Sequence, residues 1–331
     1  MWATLHLSFA LLVLPGCQGP GREPSRQADS RHTFEPLAAM EAGPVYHLLE
    51  GYDPIWLDRV RDGIETARSY WGSYGPTHVW ILGSHNGAAI DPAAKQAFVE
   101  DYCGSRTFPK GMRSEDCARY VESRFLDVAE RDESEAYLSY LQDTTPPRAD
   151  LVFINVHKWF FEADRVPDPT LRGIHEYTHV FQSSFGPTPT WMMEGGAVFA
   201  EAWLPALHGW RDLHGVMERC MESACRVADP AMSIADMERV DSAPGKIIKY
   251  YRELAYDRGA WAVAFMIHES PTQRVSALRD EFYPSVTELG WEVALSRFVG
   301  VQDKRQFYAA FESFMGLSME EQLTMLDHLK D

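Results

Sequence analysis

Positive charge is scarce in this chain. Lys and Arg number 31 against 48 Asp and Glu, which leaves a net charge of −17 and a pI near 5.1. A field of that sign repels phosphate, so nucleic acid and anionic membrane surfaces are excluded as electrostatic partners. What is left is a solvated acidic surface, or an acidic cleft that favours basic substrates. Cysteine is scarce too, with five in 331 residues and no Cys-x-x-Cys pair, which argues against a thiolate metal site. No internal repeat or low-complexity run is present, which removes repeat-array folds. Apolar residues are plentiful at 45%, enough to bury a substantial core in one large or two modest domains.

A long apolar run is also missing at the N-terminus. Leu5 to Leu14 is mostly apolar but only ten residues long, half of the roughly twenty that a membrane-spanning helix needs. It reads as an export signal ending at Leu14-Pro15-Gly16-Cys17. That tetrad resembles a bacterial lipobox, which implies cleavage before Cys17 and a lipid anchor on its thiol, each buried CH₂ contributing about 0.8 kcal/mol. Pro15 is unusual in its place and no Lys or Arg precedes the run, so simple secretion is the alternative. Gln18 leans, by the same resemblance, towards an outer-membrane or periplasm-facing lipoprotein of a bacterial cell envelope. With Cys17 assigned to lipid, Cys103, Cys117, Cys220 and Cys225 remain, an even number suited to disulfides in an oxidising compartment. Close spacing favours Cys103 with Cys117 and Cys220 with Cys225 among the three connectivities that four cysteines allow. Closing the 15-residue loop from Cys103 to Cys117 stabilises by roughly 3 kcal/mol on a chain-entropy argument.

The expected organisation is therefore a signal over residues 1–17, a flexible Gly/Pro/Ser-rich tether over 18–43, an N-terminal α+β part over 44–165, and a helical part over 166–331. Asp53-Pro54 is a cap and first helical position for a helix reaching about Tyr70, with Ile55, Trp56, Val60, Ile64 and Ala67 towards the core. Thr77 to Leu82 and Leu151 to His157 read as strands. Residues 86–148 form an insertion between them, with helical patterns around Pro92 to Tyr102 and Asp116 to Val128. Such an insertion is either a specificity element or a disulfide-stapled decoration. Downstream, Ile247 to His268, Val286 to Phe298 and Lys304 to Phe314 read as helices. The fold class is α+β, a small mixed sheet followed by a mostly helical C-terminal half.

Chemistry concentrates in His175-Glu176-Tyr177-Thr178-His179, a complete HExxH. On a helix, residues four apart lie one above the other, so His175 and His179 present two imidazoles to one metal, with Glu176 turned about 100° along the rim. A catalytic zinc takes a third protein ligand and leaves one position for water. The candidate is Glu194, separated from His179 by fourteen residues, in a second helix that starts beyond Gly186-Pro187-Thr188-Pro189 and is capped near Thr188 or Thr190. Glu201, seven residues further on the same face, is a candidate to orient a ligand. Each element alone has an ordinary explanation, Glu194 as an acid at a helix start and Tyr256 as a core aromatic; it is their joint occurrence that points to a metal site.

The HExxH, the Trp191-x-x-Glu194-Gly195-x-Ala197 segment and Tyr256-Asp257-Arg258-Gly259-Ala260 together resemble the gluzincin metallopeptidases, the group of thermolysin and the aminopeptidase-N-like enzymes, and most closely their compact peptidase-MA-like relatives. The resemblance covers roughly residues 150–270. It implies one Zn²⁺ per chain held by His175, His179 and Glu194, with Glu176 as general base for a zinc-bound water and the Tyr256 hydroxyl as oxyanion donor, Tyr250 and Tyr251 being alternatives for that role. It also implies an edge strand beside the zinc helix that pairs with an extended peptide, placed here at residues 151–159, where His157 lines the cleft or plays a structural part. The connection from His179 to Glu194 is shorter than in either named relative, which implies a trimmed helical hairpin. The amine-binding Gly-x-Met-Glu-Asn segment of the aminopeptidases is missing, which favours an endopeptidase. A metzincin site is excluded, because Gln182 and Phe185 stand where its Gly and third His would fall. The implied function is hydrolysis of peptide or protein substrates; the alternatives are a catalytically inactive zinc-binding lipoprotein and a zinc hydrolase of a non-peptide amide or ester.

Overall fold

The computed structural model describes residues 35–105, 114–141, 146–159, 167–227, 229 and 232–331. The expected signal and Cys17 lie outside the described residues, as does the tether up to residue 34. Further along, Ala38–Ala39 (β1) pairs antiparallel with Tyr74–Gly75 (β3) and Leu37 is buried, so ordered pairing starts inside the stretch expected as a tether.

The protein is mixed α+β, a small sheet followed by a mostly helical C-terminal half. Val45–Leu48 (β2), Thr77–Leu82 (β4), Arg148–Ile154 (β6) and Glu135–Leu141 (β5) form a four-stranded sheet in the order β2-β4-β6-β5. The first three are parallel and β5 runs antiparallel on the outside, with Val79 opposite Leu151 and Leu138 opposite Leu151 fixing the register. Val79 to Leu82 and every residue of β6 are buried, which is why Val79 to Leu82 and Leu151 to Ile154 read as continuous apolar runs, while Arg148 and Asp150 at the start of β6 are buried as an ion pair.

Helix α1, Pro54–Trp71, starts where expected, with the Asp53 carboxylate accepting from the Ile55 backbone N–H. It packs along α5, Asp168–Gln182. Two glycines make this possible: a Cβ on Gly63 would stand 1.9 Å from the Thr170 carbonyl oxygen, and one on Gly173 would stand 2.4 Å from that of Val60. The backbones therefore touch, and α5 lies too deep to present a polar face to solvent. The region between β4 and β6 holds Pro92–Gly104 (α2), then Ser114–Val121 (α3), a π-helical turn and Asp127–Glu130 (α4). The Cys103–Cys117 disulfide joins α2 to α3 as expected.

After α5 come Thr190–Leu207 (α6), Leu213–Ala224 (α7), Gly245–Ile248 (α8) and Gly259–Glu269 (α9). Tyr283–Leu289 (α10), Trp291–Val299 (α11), Lys304–Met315 (α12) and Met319–Leu326 (α13) complete the chain. The seam between α6 and α9 is again built on glycine. A Cβ on Gly195 would meet the Gly259 carbonyl carbon at 2.1 Å, and one on Gly259 the Trp191 carbonyl oxygen at 2.5 Å.

Several expectations are corrected. The strand at 151–159 is not an edge: β6 is paired on both sides and stops at Ile154, and residues 156–159 form a 3₁₀ turn. The outer strand beside α5 is β5, which belongs to the 86–148 region expected as an insertion. Cys220 and Cys225 are both free thiols; five residues apart on and just past a regular helix, their side chains point about 140° apart. Neither Thr188 nor Thr190 caps α6, whose flanking residue is Pro189; the Thr190 hydroxyl instead accepts from the Val240 N–H. The helix expected from Val286 to Phe298 is divided at Gly290, whose φ of 78° is outside helical space. Ile55 is exposed rather than in the core.

Gly195→Ala tests the seam. Forcing a methyl between α6 and α9 is expected to cost about 1–3 kcal/mol and to weaken metal retention with it, read by thermal unfolding and elemental analysis. An unchanged melting temperature would contradict the close approach.

Candidate metal centre

Helix α5 carries His175, Glu176 and His179, and the second turn of α6 carries Glu194 opposite them. Glu194 Oε2 lies 3.5 Å from His175 Nε2 and 3.5 Å from His179 Nε2, and one ligand atom from each residue falls within 4.8 Å of the others. Metal bonds of about 2.0–2.1 Å at a tetrahedral angle separate neighbouring ligand atoms by roughly 3.3 Å. The spacing is thus that of three ligands around one ion. All three residues are buried.

The outer nitrogen of His179 is hydrogen-bonded, whereas that of His175 only faces a carboxylate. Gln182 Nε2 donates to the carbonyl oxygens of Met192 and Met193 at 3.3 and 3.0 Å, which fixes the direction of its amide and leaves Oε1 to accept from His179 Nδ1 at 2.9 Å. His179 therefore carries its proton on Nδ1 and turns the Nε2 lone pair towards Glu194. One glutamine side chain joins the end of α5 to the first turn of α6. His175 Nδ1 faces Glu201 Oε1 at 3.5 Å, and the same oxygen faces Arg172 Nη1 at 3.7 Å.

Two imidazole lone pairs and a carboxylate oxygen repel one another in a dry interior unless positive charge lies among them. Glu194 Oε2 has no hydrogen-bond partner. In the metal-free protein the charge is a proton. Burial opposes it, but Glu201, Glu194 and Glu176 push His175 up to about 10, while His179 and His175 overcome burial to hold Glu194 at about 2. A divalent cation meets the same need with a matching ligand set, so this group of residues fits a metal ion. The donors do not by themselves select which ion.

Glu176 is buried, and its Oε2 has no hydrogen-bond partner among the described residues. Burial raises its pKa, against the lowering effect of His175, His179 and Arg172. The Tyr256 ring stacks on that of His175 with centroids 5.9 Å apart and planes 15° apart, and its hydroxyl is buried without a hydrogen-bond partner. Tyr251 donates to Glu194 Oε1 at 3.3 Å, and its ring meets Tyr256 edge-on at 5.5 Å. Both tyrosines reach the site because Arg252–Arg258 is a π-helical turn, in which residues five apart lie closer to one face than in an α-helix. Tyr250 instead lies under the Lys249 ammonium. His157 bonds to the Tyr52 hydroxyl through Nδ1 at 2.9 Å and packs near His85, in an aromatic cluster past the end of β6.

The fold thus brings His175, His179, Glu194, Glu176, Tyr256 and Glu201 together, and leaves His157 in a cluster of its own. Tyr251, named above only as an alternative to Tyr256, joins the site beside it, and Gln182 and Arg172 join it unforeseen. Gln182 and Arg172 had a signal in the sequence, three residues after His179 and three before His175 on the same helix; that Tyr251 and Tyr256 both reach the site had none, because a regular helix would turn them apart. Comparison with known protein families, curated proteins and solved structures finds no match for this chain.

Two outcomes check the site. Gln182→Ala is expected to weaken metal affinity about 10- to 100-fold, measured by competition with a chromophoric chelator, and an unchanged affinity would remove Gln182 from the site. Because His175 holds a proton up to about 10 without metal, loading at pH 7 should release about one proton and affinity should fall as pH falls. Calorimetry in buffers of different ionisation enthalpy reads this directly, and a zero slope would contradict it.

Proposed function

We propose that this protein is a metal-dependent peptidase of the gluzincin kind, cleaving peptide or protein substrates. The observation that carries the proposal is the convergence of His175, His179 and Glu194, with Glu194 Oε2 3.5 Å from each imidazole Nε2 and Glu176 and Tyr256 beside them. A structural metal site needs neither a spare buried carboxylate nor an unpartnered tyrosine hydroxyl. When bound, a divalent ion such as zinc supplies Lewis acidity towards a carbonyl and makes water acidic near neutral pH.

The chain's own residues do the rest. Glu176, its basicity raised by burial, accepts a proton from the attacking water as the new C–O bond forms, then delivers it to the leaving nitrogen as the C–N bond breaks. The Tyr256 hydroxyl, kept protonated by burial and by Glu194, donates a hydrogen bond where negative charge develops on the carbonyl oxygen. Gln182 holds the His179 imidazole by a hydrogen bond, and the Glu201 carboxylate faces His175 electrostatically. Tyr251 steadies the Glu194 carboxylate. An extended peptide would dock by strand addition on β5, the outer strand next to α5.

Export to a bacterial cell envelope, with or without lipid on Cys17, belongs to the same proposal and draws support from the Cys103–Cys117 disulfide. Among the described residues, no helix is long and apolar enough to cross a membrane.

Glu176→Gln is expected to retain one metal per chain and to lose turnover on a peptide library by at least about a hundredfold, whereas His179→Ala loses the metal itself. Wild-type turnover in Glu176→Gln removes that carboxylate from the mechanism. Undiminished metal content in His179→Ala refutes the ligand set. Chelator-sensitive cleavage of esters but not peptides would redirect the proposal to another hydrolase class.

A further inference from the structure

Arg172 sits on α5 one helical turn before His175 and Glu176, so its side chain shares the face that carries the site. Its charge is felt at both Glu176 and Tyr256. The guanidinium is nevertheless loosely held. Among the described residues, the nearest carboxylate oxygens, Asp168 Oδ2 and Glu201 Oε1, stand 3.9 and 3.7 Å from its nitrogens, beyond hydrogen-bonding distance. A guanidinium binds best when two oxygens of one carboxylate meet its planar fork in parallel, and neither neighbour does that. The Arg172 side chain is also 22% exposed, whereas those of His175, His179 and Glu194 are 2%, 0% and 4%. Solvent therefore reaches a cation at the margin of a buried ligand cluster.

Resting on the peptidase reading above, we propose that Arg172 is a specificity residue that binds a carboxylate on the substrate residue immediately after the scissile bond. That carboxylate is either the C-terminal group of the peptide or the side chain of an aspartate or glutamate. The spacing permits it: Arg172 precedes Glu176 by four residues, about 6 Å along α5, and consecutive Cα atoms of a peptide are about 3.8 Å apart, so a carboxylate one residue beyond a scissile carbonyl at Glu176 lies on the scale that an arginine side chain spans. The chain's net charge of −17 repels acidic peptides at long range, so a carboxylate is accepted only where this fork meets it. Asp168 and Glu201 balance the guanidinium's charge without occupying its donors, and so limit its capture of unrelated anions. If Arg172 served only as a counter-ion keeping Glu201 against His175, it would not distinguish a carboxylate from an amide in the ligand.

The test is binding to zinc-loaded Glu176→Gln protein, followed by calorimetry, with two matched peptide pairs. One pair is N-acetyl-trialanine as free carboxylate and as carboxamide. The other is an N-acetyl tetrapeptide amide with aspartate or asparagine at its third position. In at least one pair the carboxylate form is expected to bind roughly tenfold tighter or more, and the pair that shows the preference identifies the source. The advantage should vanish when Arg172→Gln is added and persist in part with Arg172→Lys, with metal content measured in each protein. Equal binding within both pairs, no binding by any peptide, or a preference that survives Arg172→Gln overturns the proposal. Cleavage is scored separately with the unsubstituted protein. Preference without cleavage leaves the carboxylate site standing and sinks the peptidase reading; cleavage without preference does the reverse.

Discussion

Two imidazoles and a carboxylate cannot face one another across 3.5 Å of buried space without positive charge among them. That electrostatic demand organises the centre of this molecule. It agrees with the acceptors set around the imidazole nitrogens that point away from the cluster, the Gln182 amide bonded to His179 and the Glu201 carboxylate 3.5 Å from His175, with Arg172 beyond Glu201. The two acceptors make the inner nitrogens better ligands, and neither supplies the missing charge at the centre itself.

The rest of the fold brings the cluster together. Glycines at 63 and 173 let α1 and α5 touch backbone to backbone, and glycines at 195 and 259 do the same for α6 and α9. The second seam ties Glu194 and Tyr256 to one rigid contact, since each lies within three residues of a seam glycine. Gln182 closes the triangle by bonding α5 to the start of α6. Through this chain of contacts, the packing of four helices sets the separation of three ligand atoms.

Much of this was legible in the residues. The HExxH spacing, Glu194 as its partner, the helix opening at Asp53-Pro54, the strand at 77–82 and the Cys103–Cys117 bond all depend on local patterns, which act over a few residues or one loop. What escaped depends on tertiary geometry or on departures from regular structure. The pairing order of the sheet is not encoded in the composition of β6, so its place between β4 and β5 could not be seen, nor could the edge role of β5 within a region that looked like an insertion. Cys220 with Cys225 and Tyr251 with Tyr256 make an instructive contrast. Both pairs are five residues apart. On regular helix the cysteines diverge and stay free, while the π-helical turn at 252–258 brings the tyrosines together over Glu194. Nothing in the sequence alone separates the two cases.

The central claim concerns a single ion and its ligands, so it is tested most directly by X-ray absorption spectroscopy of the zinc-loaded protein. The account predicts one metal per chain with four light-atom neighbours at about 2.0–2.1 Å and the multiple-scattering signature of two imidazoles. Sulfur at about 2.3 Å, a first shell with fewer than two imidazoles, or no bound metal would contradict it.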